Sequence, residues 1–303
     1  MYLTDFYLNI AEFIIRIYTK ENALIYIPEG YEEFIENRRT APDIEVEVMQ
    51  GLPFETQKGH EIFRACDDMS TAPSQEGDIL WNILDYGDEH HVITSEPYRK
   101  LYPYLAAKFH SNIKHWVIYN SELLKYEGKY LLNPLAYPMG PLLLYHLGLY
   151  NEAIMFHASG VDATDEGYIF SGFSGVGKST MAGLWQSKNY KVINDDRLMI
   201  RKIEGQYYIF NTPMPYRDIP KKAPLNACFL LKQHPNNYLN KLDTLTGMSK
   251  LMAFCIQHHY DKGHITLLMD TLADIANETD LYELGFVPDE SVVDLILRVR
   301  SER

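Results

Sequence analysis

Residues Gly172 to Ser179 read Gly-Phe-Ser-Gly-Val-Gly-Lys-Ser and satisfy the spacing G-x-x-x-x-G-K-[ST]. No other stretch of the 303-residue chain restricts its fold as narrowly. Gly172, Gly175 and Gly177 permit a backbone that turns its N–H groups inward, and Ser174, Val176 and Thr180 complete the candidate cradle for phosphate oxygens. Lys178 is spaced to reach the outer phosphates of a nucleotide such as ATP, and the Ser179 hydroxyl to ligate Mg²⁺. The β-prone run Tyr168-Ile169-Phe170 precedes the loop, and Thr180 to Trp185 follows with apolar residues at helical spacing. The pattern predicts a strand, a loop and a helix whose N-terminus faces an anion.

Downstream, Val192-Ile193-Asn194-Asp195-Asp196 puts two carboxylates at the end of a short apolar strand. Neighbouring strand residues point to opposite faces, so the pair can divide two tasks: holding Mg²⁺, with Ser179 and Asp196 taken first, and accepting the proton of an attacking hydroxyl. Taken alone, Asp195-Asp196 also suits an Asx turn. His157 stands on the strand before the one that feeds the loop, a position compatible with a site residue or with a core histidine. Arg197 and Arg217 are candidates to balance charge on a transferring phosphoryl group. The cluster His258, His259, Asp261 and His264 lacks zinc-site spacing and reads as a helix end with solvated histidines.

The remainder of the chain frames this region. Residues 6–18 read as strand and Asp43–Met49 as a half-buried strand with one wet face, while Pro53 to Gly77 is polar and broken and reads as loop. Strands are expected near 114–119, 123–126 and 129–132, so residues 1–135 look like a small, largely antiparallel sheet domain. A helix is expected from Pro141, and residues 136–303 form the second domain. There, short strands near 154–159, 168–171, 191–194, 198–202, 206–210 and 228–232 alternate with helices after the loop, over 247–258, near 270–277 and from 289 onward.

Net charge is −13, with 22 acidic against 12 basic side chains up to Tyr150 and 19 against 16 after it. That balance argues against nucleic acid and anionic membrane surfaces as partners. Cys66, Cys228 and Cys255 are too scattered for a disulfide framework or a zinc site. No apolar run is long enough to span a bilayer, and charged residues interrupt the first 20 positions, so a cytoplasmic protein is expected.

His157-Ala158-Ser159, Gly172 to Thr180 and Asn194-Asp195-Asp196 together resemble the catalytic domain of the HPr kinase/phosphorylase family over roughly residues 140–290. The resemblance implies a mixed α/β (α+β) nucleotide-binding fold shared with phosphoenolpyruvate carboxykinase. It also implies that His157 is the active-site histidine, Lys178 and Ser179 the nucleotide and Mg²⁺ residues, and Asp195 and Asp196 the catalytic pair. The chain lacks the Leu-Glu-x-Arg-Gly-Leu-Gly segment of HPr kinases, having Asn226 to Lys232 and then Gln233-His234-Pro235 there. It is accordingly more similar to HPr kinase-related proteins. The implied activity is ATP-dependent transfer to a hydroxyl of a protein, peptide or small molecule. A non-catalytic nucleotide sensor, or a phosphorylase or phosphatase using the same acidic pair, stands as the alternative, and homo-oligomerisation is left open.

Overall fold

The computed structural model describes residues 1–37, 41–51, 59–66, 79–87, 90–95, 105–110, 114–121, 124–256 and 262–302. The chain divides into two compact units, one of Met1–Leu147 with Pro213–Ile219, the other of Gly148–Thr212, 220–256 and 262–302. The protein is mixed α/β, with several sheets and, among the described residues, six helices.

The first unit holds a four-stranded and a nine-stranded sheet, more than the small sheet the sequence suggests. Residues 6–18 are a hairpin and not one strand: Asp5–Ile10 pairs antiparallel with Phe13–Tyr18 through Ala11 and Glu12, both left-handed at φ 52° and 61°. Neither turn residue is the glycine or asparagine that normally announces such a turn. Ile44–Gln50 alternates buried and half-buried residues as its sequence pattern demands, and it runs parallel to two neighbours, so the sheet is mixed. His60–Cys66 is a strand inside the stretch expected as loop, paired with Ile79–Asp85, whose cross-strand partners supply the hydrogen bonds that its polar sequence conceals. The helix expected at Pro141 begins at Met139. Its His146 is buried, donates from Nδ1 to Leu142 O at 2.8 Å and packs on Phe109 and Trp116.

The second unit runs β1 (Ala153–Asp162), β2 (Gly167–Ser171), α1 (Lys178–Ser187), β3 (Lys191–Asn194), β4 (Arg197–Ile203), β5 (Gln206–Asn211), β6 (Lys222–Gln233), β7 (Tyr238–Lys241), α2 (Thr244–Met252), α3 (Lys262–Glu278), β8 (Asp280–Phe286) and α4 (Ser291–Ser301). The long strands β1 and β6 each serve two sheet segments. β1 pairs with β4 through Ala153–His157, then with β2 and β3 through Ala158–Asp162. β6 pairs with β5 at its start and then runs parallel to both β2 and β8. Strands β2, β1, β4, β5 and β6 thereby close into a ring.

One core fixes the loop region from behind. Phe170, Phe229 and Tyr282, on β2, β6 and β8, stack at 5.2 and 5.3 Å, and Met181 and Trp185 of α1 join them with Val292, Val293 and Ile296 of α4. Each buried side chain of this size stabilises by about 1.5–3 kcal/mol. The consequence is positional: α1 is held by its apolar face, and its N-terminus is presented at the end of β2. β7 gives no strong sequence signal, being four residues long, and in β8 Asp280 and Glu283 interrupt the apolar run. His264 does lie at a helix end, in the first turn of α3, but it is not solvated: it is buried and hydrogen-bonded to the Tyr150 hydroxyl, while His258, His259 and Asp261 lie outside the described residues.

Candidate active site at the glycine-rich loop

β2 ends at the buried Ser171, and the chain turns through Gly172–Gly177 into α1. Gly175 and Gly177 take left-handed backbone angles, φ 77° and 113°, which a side chain would strain. At Gly177 space is closed as well, since a Cβ there would lie 2.7 Å from Cζ of Phe286. Gly177 is the N-cap of α1, with no side-chain cap and no acidic residue in the first turn. The first-turn N–H groups of a helix lack intrahelical acceptors and carry partial positive charge, so this end fits an anion. Ser174, Ser179 and Thr180 are exposed around it, and Val176 donates its N–H to Phe173 O at 3.1 Å.

Lys178 is buried, at 7% exposure, and its Nζ donates to Gly172 O at 3.0 Å and Phe173 O at 3.4 Å. Burial pulls its pKa below the ordinary lysine value, and the charge of Asp196 works the other way. Two neutral carbonyls are poor compensation for a buried ammonium. Ser159, fully buried on β1, donates from Oγ to Lys178 O at 2.9 Å and ties the start of α1 to that strand.

Asp195 and Asp196 are not strand residues: they sit in the bend between β3 and β4, so the turn, and not strand alternation, separates their environments. An Asx turn does close the strand, and Asn194 makes it. Its Oδ1 accepts from the N–H of Asp196 at 2.9 Å and of Arg197 at 3.3 Å, while Asp196 O accepts from Ala158 N at 3.1 Å. Asp196 Oδ1 then lies 3.2 Å from His157 Nδ1, and Oδ2 lies 3.7 Å from Arg197 Nη2. The hydrogen bond from His157 holds the Asp196 carboxyl below the usual aspartate range, with Arg197 assisting against the opposing effect of burial. Because a carboxylate only accepts, Nδ1 of His157 carries the shared proton. His157 is about half exposed and is therefore not a core histidine. Asp195 is exposed, and its carboxylate has no ion pair or hydrogen bond among the described residues.

The structure thus brings together His157, Lys178, Asp196 and Arg197. Arg217 belongs to the first unit, where it pairs with Glu33. Sequence reasoning gave no role to Ser159 or Asn194, although an Asn before Asp-Asp is a turn signal in its own right. Two pockets flank the loop. One, of about 700 Å³, is lined by Phe173, Val176, Leu230, Leu231, Ala253 and Phe254 among others, and one of about 570 Å³ by Gly177, Thr180, His234, Pro235, Phe286 and Pro288 among others. Among the described residues no group of three or more His, Cys, Asp or Glu is placed to hold a metal. The Ser179 hydroxyl and the carboxylates of Asp195 and Asp196 are hard oxygen donors, the type that Mg²⁺ takes together with phosphate oxygens.

No protein-family model and no curated protein matches the chain. Among solved structures, the Hpr(Ser) kinase/phosphatase from Coxiella burnetii is similar over 49% of this chain and 95% of its own, at 10% identity and a TM-score of 0.29. At that distance the likeness is no guide to activity.

Proposed function

We propose that the second unit is an ATP-dependent phosphotransferase that moves the γ-phosphoryl group to a hydroxyl acceptor. One observation carries this: a buried lysine at an uncapped helix start, within electrostatic reach of Asp196, which is itself held by a histidine and an arginine. A structural lysine would not be buried against two carbonyls beside unpaired helix amides. The loop amides and Lys178 hold the triphosphate, and Ser179 and Asp196 would hold Mg²⁺, which when bound would supply neutralisation of the charge on the phosphoryl group. Asp196, kept ionised by His157 and Arg197, suits the metal role. Asp195, exposed and unpaired, suits the role of base. It takes the acceptor's proton as the new O–P bond forms and the bond to the leaving ADP breaks. Such a site works by positioning and charge stabilisation.

Purified protein with radiolabelled ATP and cell extract tests this. Label should appear in an acceptor fraction with Mg²⁺, Asp195→Asn should abolish transfer while ATP affinity stays within a few-fold, and Asp196→Asn should raise the Mg²⁺ requirement. Binding of ATP without turnover in any fraction would leave a nucleotide sensor and end the phosphotransferase reading.

A further inference from the structure

The two pockets beside the loop are not equivalent. Lys178, whose amine serves the outer phosphates in loops of this spacing, is bonded to Gly172 O and Phe173 O. The outer end of a triphosphate therefore falls near Phe173 and Ser174, which line the 700 Å³ pocket, and its inner end towards Thr180, which lines the other. The larger pocket is also joined to the acidic site through the backbone, because Phe254 O accepts from His157 N at 3.3 Å. Phe254 and Phe173 on its wall are each one contact from His157 and Lys178, the two residues that act on Asp196.

The pocket's walls state what that compound is. Phe173 and Phe254 meet edge to face at 5.2 Å, and Phe173 is 75% exposed, a poor position for a large ring unless something covers it. Val176, Leu230, Leu231 and Ala253 continue the apolar wall. Of the charged groups there, Lys250 and Glu283 pair at 2.7 Å and Lys232 is an exposed cation, while Gln233 is engaged with Gly175 O. About 700 Å³ is the size of a site for a small organic ligand.

We propose that this pocket binds the phosphoryl acceptor and that the acceptor is a small molecule carrying a hydroxyl on an aromatic or aliphatic body; this rests on the phosphotransferase reading of the same site. The acceptor hydroxyl loses its proton to Asp195, its oxygen forms the bond to the γ-phosphorus, and ADP departs with the electrons of the broken bond.

The test uses the full chain, MgATP and 2-phenylethanol as the probe, with glycerol and adenosine as controls. The alcohol should bind saturably by ligand-observed NMR and raise ADP formation at least about fivefold over glycerol, with phenylethyl phosphate seen by phosphorus NMR. Ala253→Trp and Ser249→Trp, both at exposed positions lining the pocket, should weaken alcohol binding by at least about tenfold while MgATP affinity stays within about threefold. Loss of MgATP affinity in both variants, or displacement of the alcohol by adenosine, would assign the pocket to the nucleobase and overturn the proposal. Intact MgATP binding with no saturable alcohol binding overturns it too, while the phosphotransferase reading stands. Absence of MgATP binding in calorimetry sinks that reading and the acceptor assignment with it.

Discussion

His157 Nδ1 lies 3.2 Å from Asp196 Oδ1, and this contact is the largest cause of the lowered Asp196 pKa. His157→Ala should therefore move the Asp196 titration up towards the ordinary aspartate value of 3.8, read from its carboxyl-carbon NMR shift in the metal-free protein. The linkage has a definite sign. A carboxyl whose folded pKa is depressed contributes stability that is present above 3.8 and lost as pH falls through the lower folded value. The acid limb of wild-type stability should thus carry an Asp196 component that the variant lacks. An Asp196 titration identical in both proteins would show that Arg197 and the solvent set it instead.

Asn194 is buried and holds the bend through two backbone N–H groups, so its removal acts on geometry before chemistry. Asn194→Ala should cost about 1–3 kcal/mol in urea unfolding, because two amides lose their acceptor. Phosphoryl transfer should fall with it as Asp196 leaves His157. Asn194→Asp keeps an acceptor oxygen and should recover most of the turn. Equal stability of wild type and the alanine variant would mean that the pairing with Ala158 suffices to hold the bend.

Lys178 should be a liability for the fold and a necessity for the ligand. Its pKa is lowered chiefly by burial, so the charged form is disfavoured where it sits. Lys178→Met fills similar space without charge and should leave thermal stability equal or higher, while weakening MgATP by about 1.5–3 kcal/mol, the worth of a charge-assisted contact. The pH slope has the same sign as for Asp196, although here the depressed pKa marks a cost of burial and not a gain. For a base with a depressed folded pKa the unfolded chain binds more protons between the two values, so wild-type stability should rise relative to the variant as pH climbs towards 10.5. A variant that is markedly less stable and binds MgATP normally would make Lys178 a structural residue.

What the sequence disclosed and what it hid follow from the range of the interactions. The loop was legible because its glycines, lysine and flanking apolar runs act over about ten residues. The half-buried strand Ile44–Gln50 was legible because burial on one face writes a period of two. The pairing of His157 with Asp196 spans 39 residues and depends on the register of β1 with β4, which no local pattern states. Nor could local reading reveal that β1 and β6 are shared between sheet segments, or that His60–Cys66 is a strand, since those facts lie in their partners. The acidic pair shows the intermediate case: its place was visible, but its geometry is set by Asn194 one residue earlier.

The two left-handed glycines of the loop should respond differently to the same change. At Gly175 a Cβ would meet nothing within 4 Å, so Gly175→Ala bears only the backbone cost of φ 77°, about 1–2 kcal/mol. At Gly177 the backbone strain at φ 113° is joined by a clash, with Cζ of Phe286 2.7 Å from the new methyl. Phe286 is buried in the core that holds α1 and α4, so it has little room to withdraw. Gly177→Ala should therefore cost clearly more, by a further 1–3 kcal/mol or so, and should displace the start of α1 on which Lys178 stands. Urea unfolding of the two variants gives the ranking directly. Pairing Gly177→Ala with Phe286→Leu separates the causes, because relief of the clash should return the double variant towards the Gly175→Ala value. No recovery in the double variant would place the whole cost in the backbone and leave Phe286 without influence on the loop.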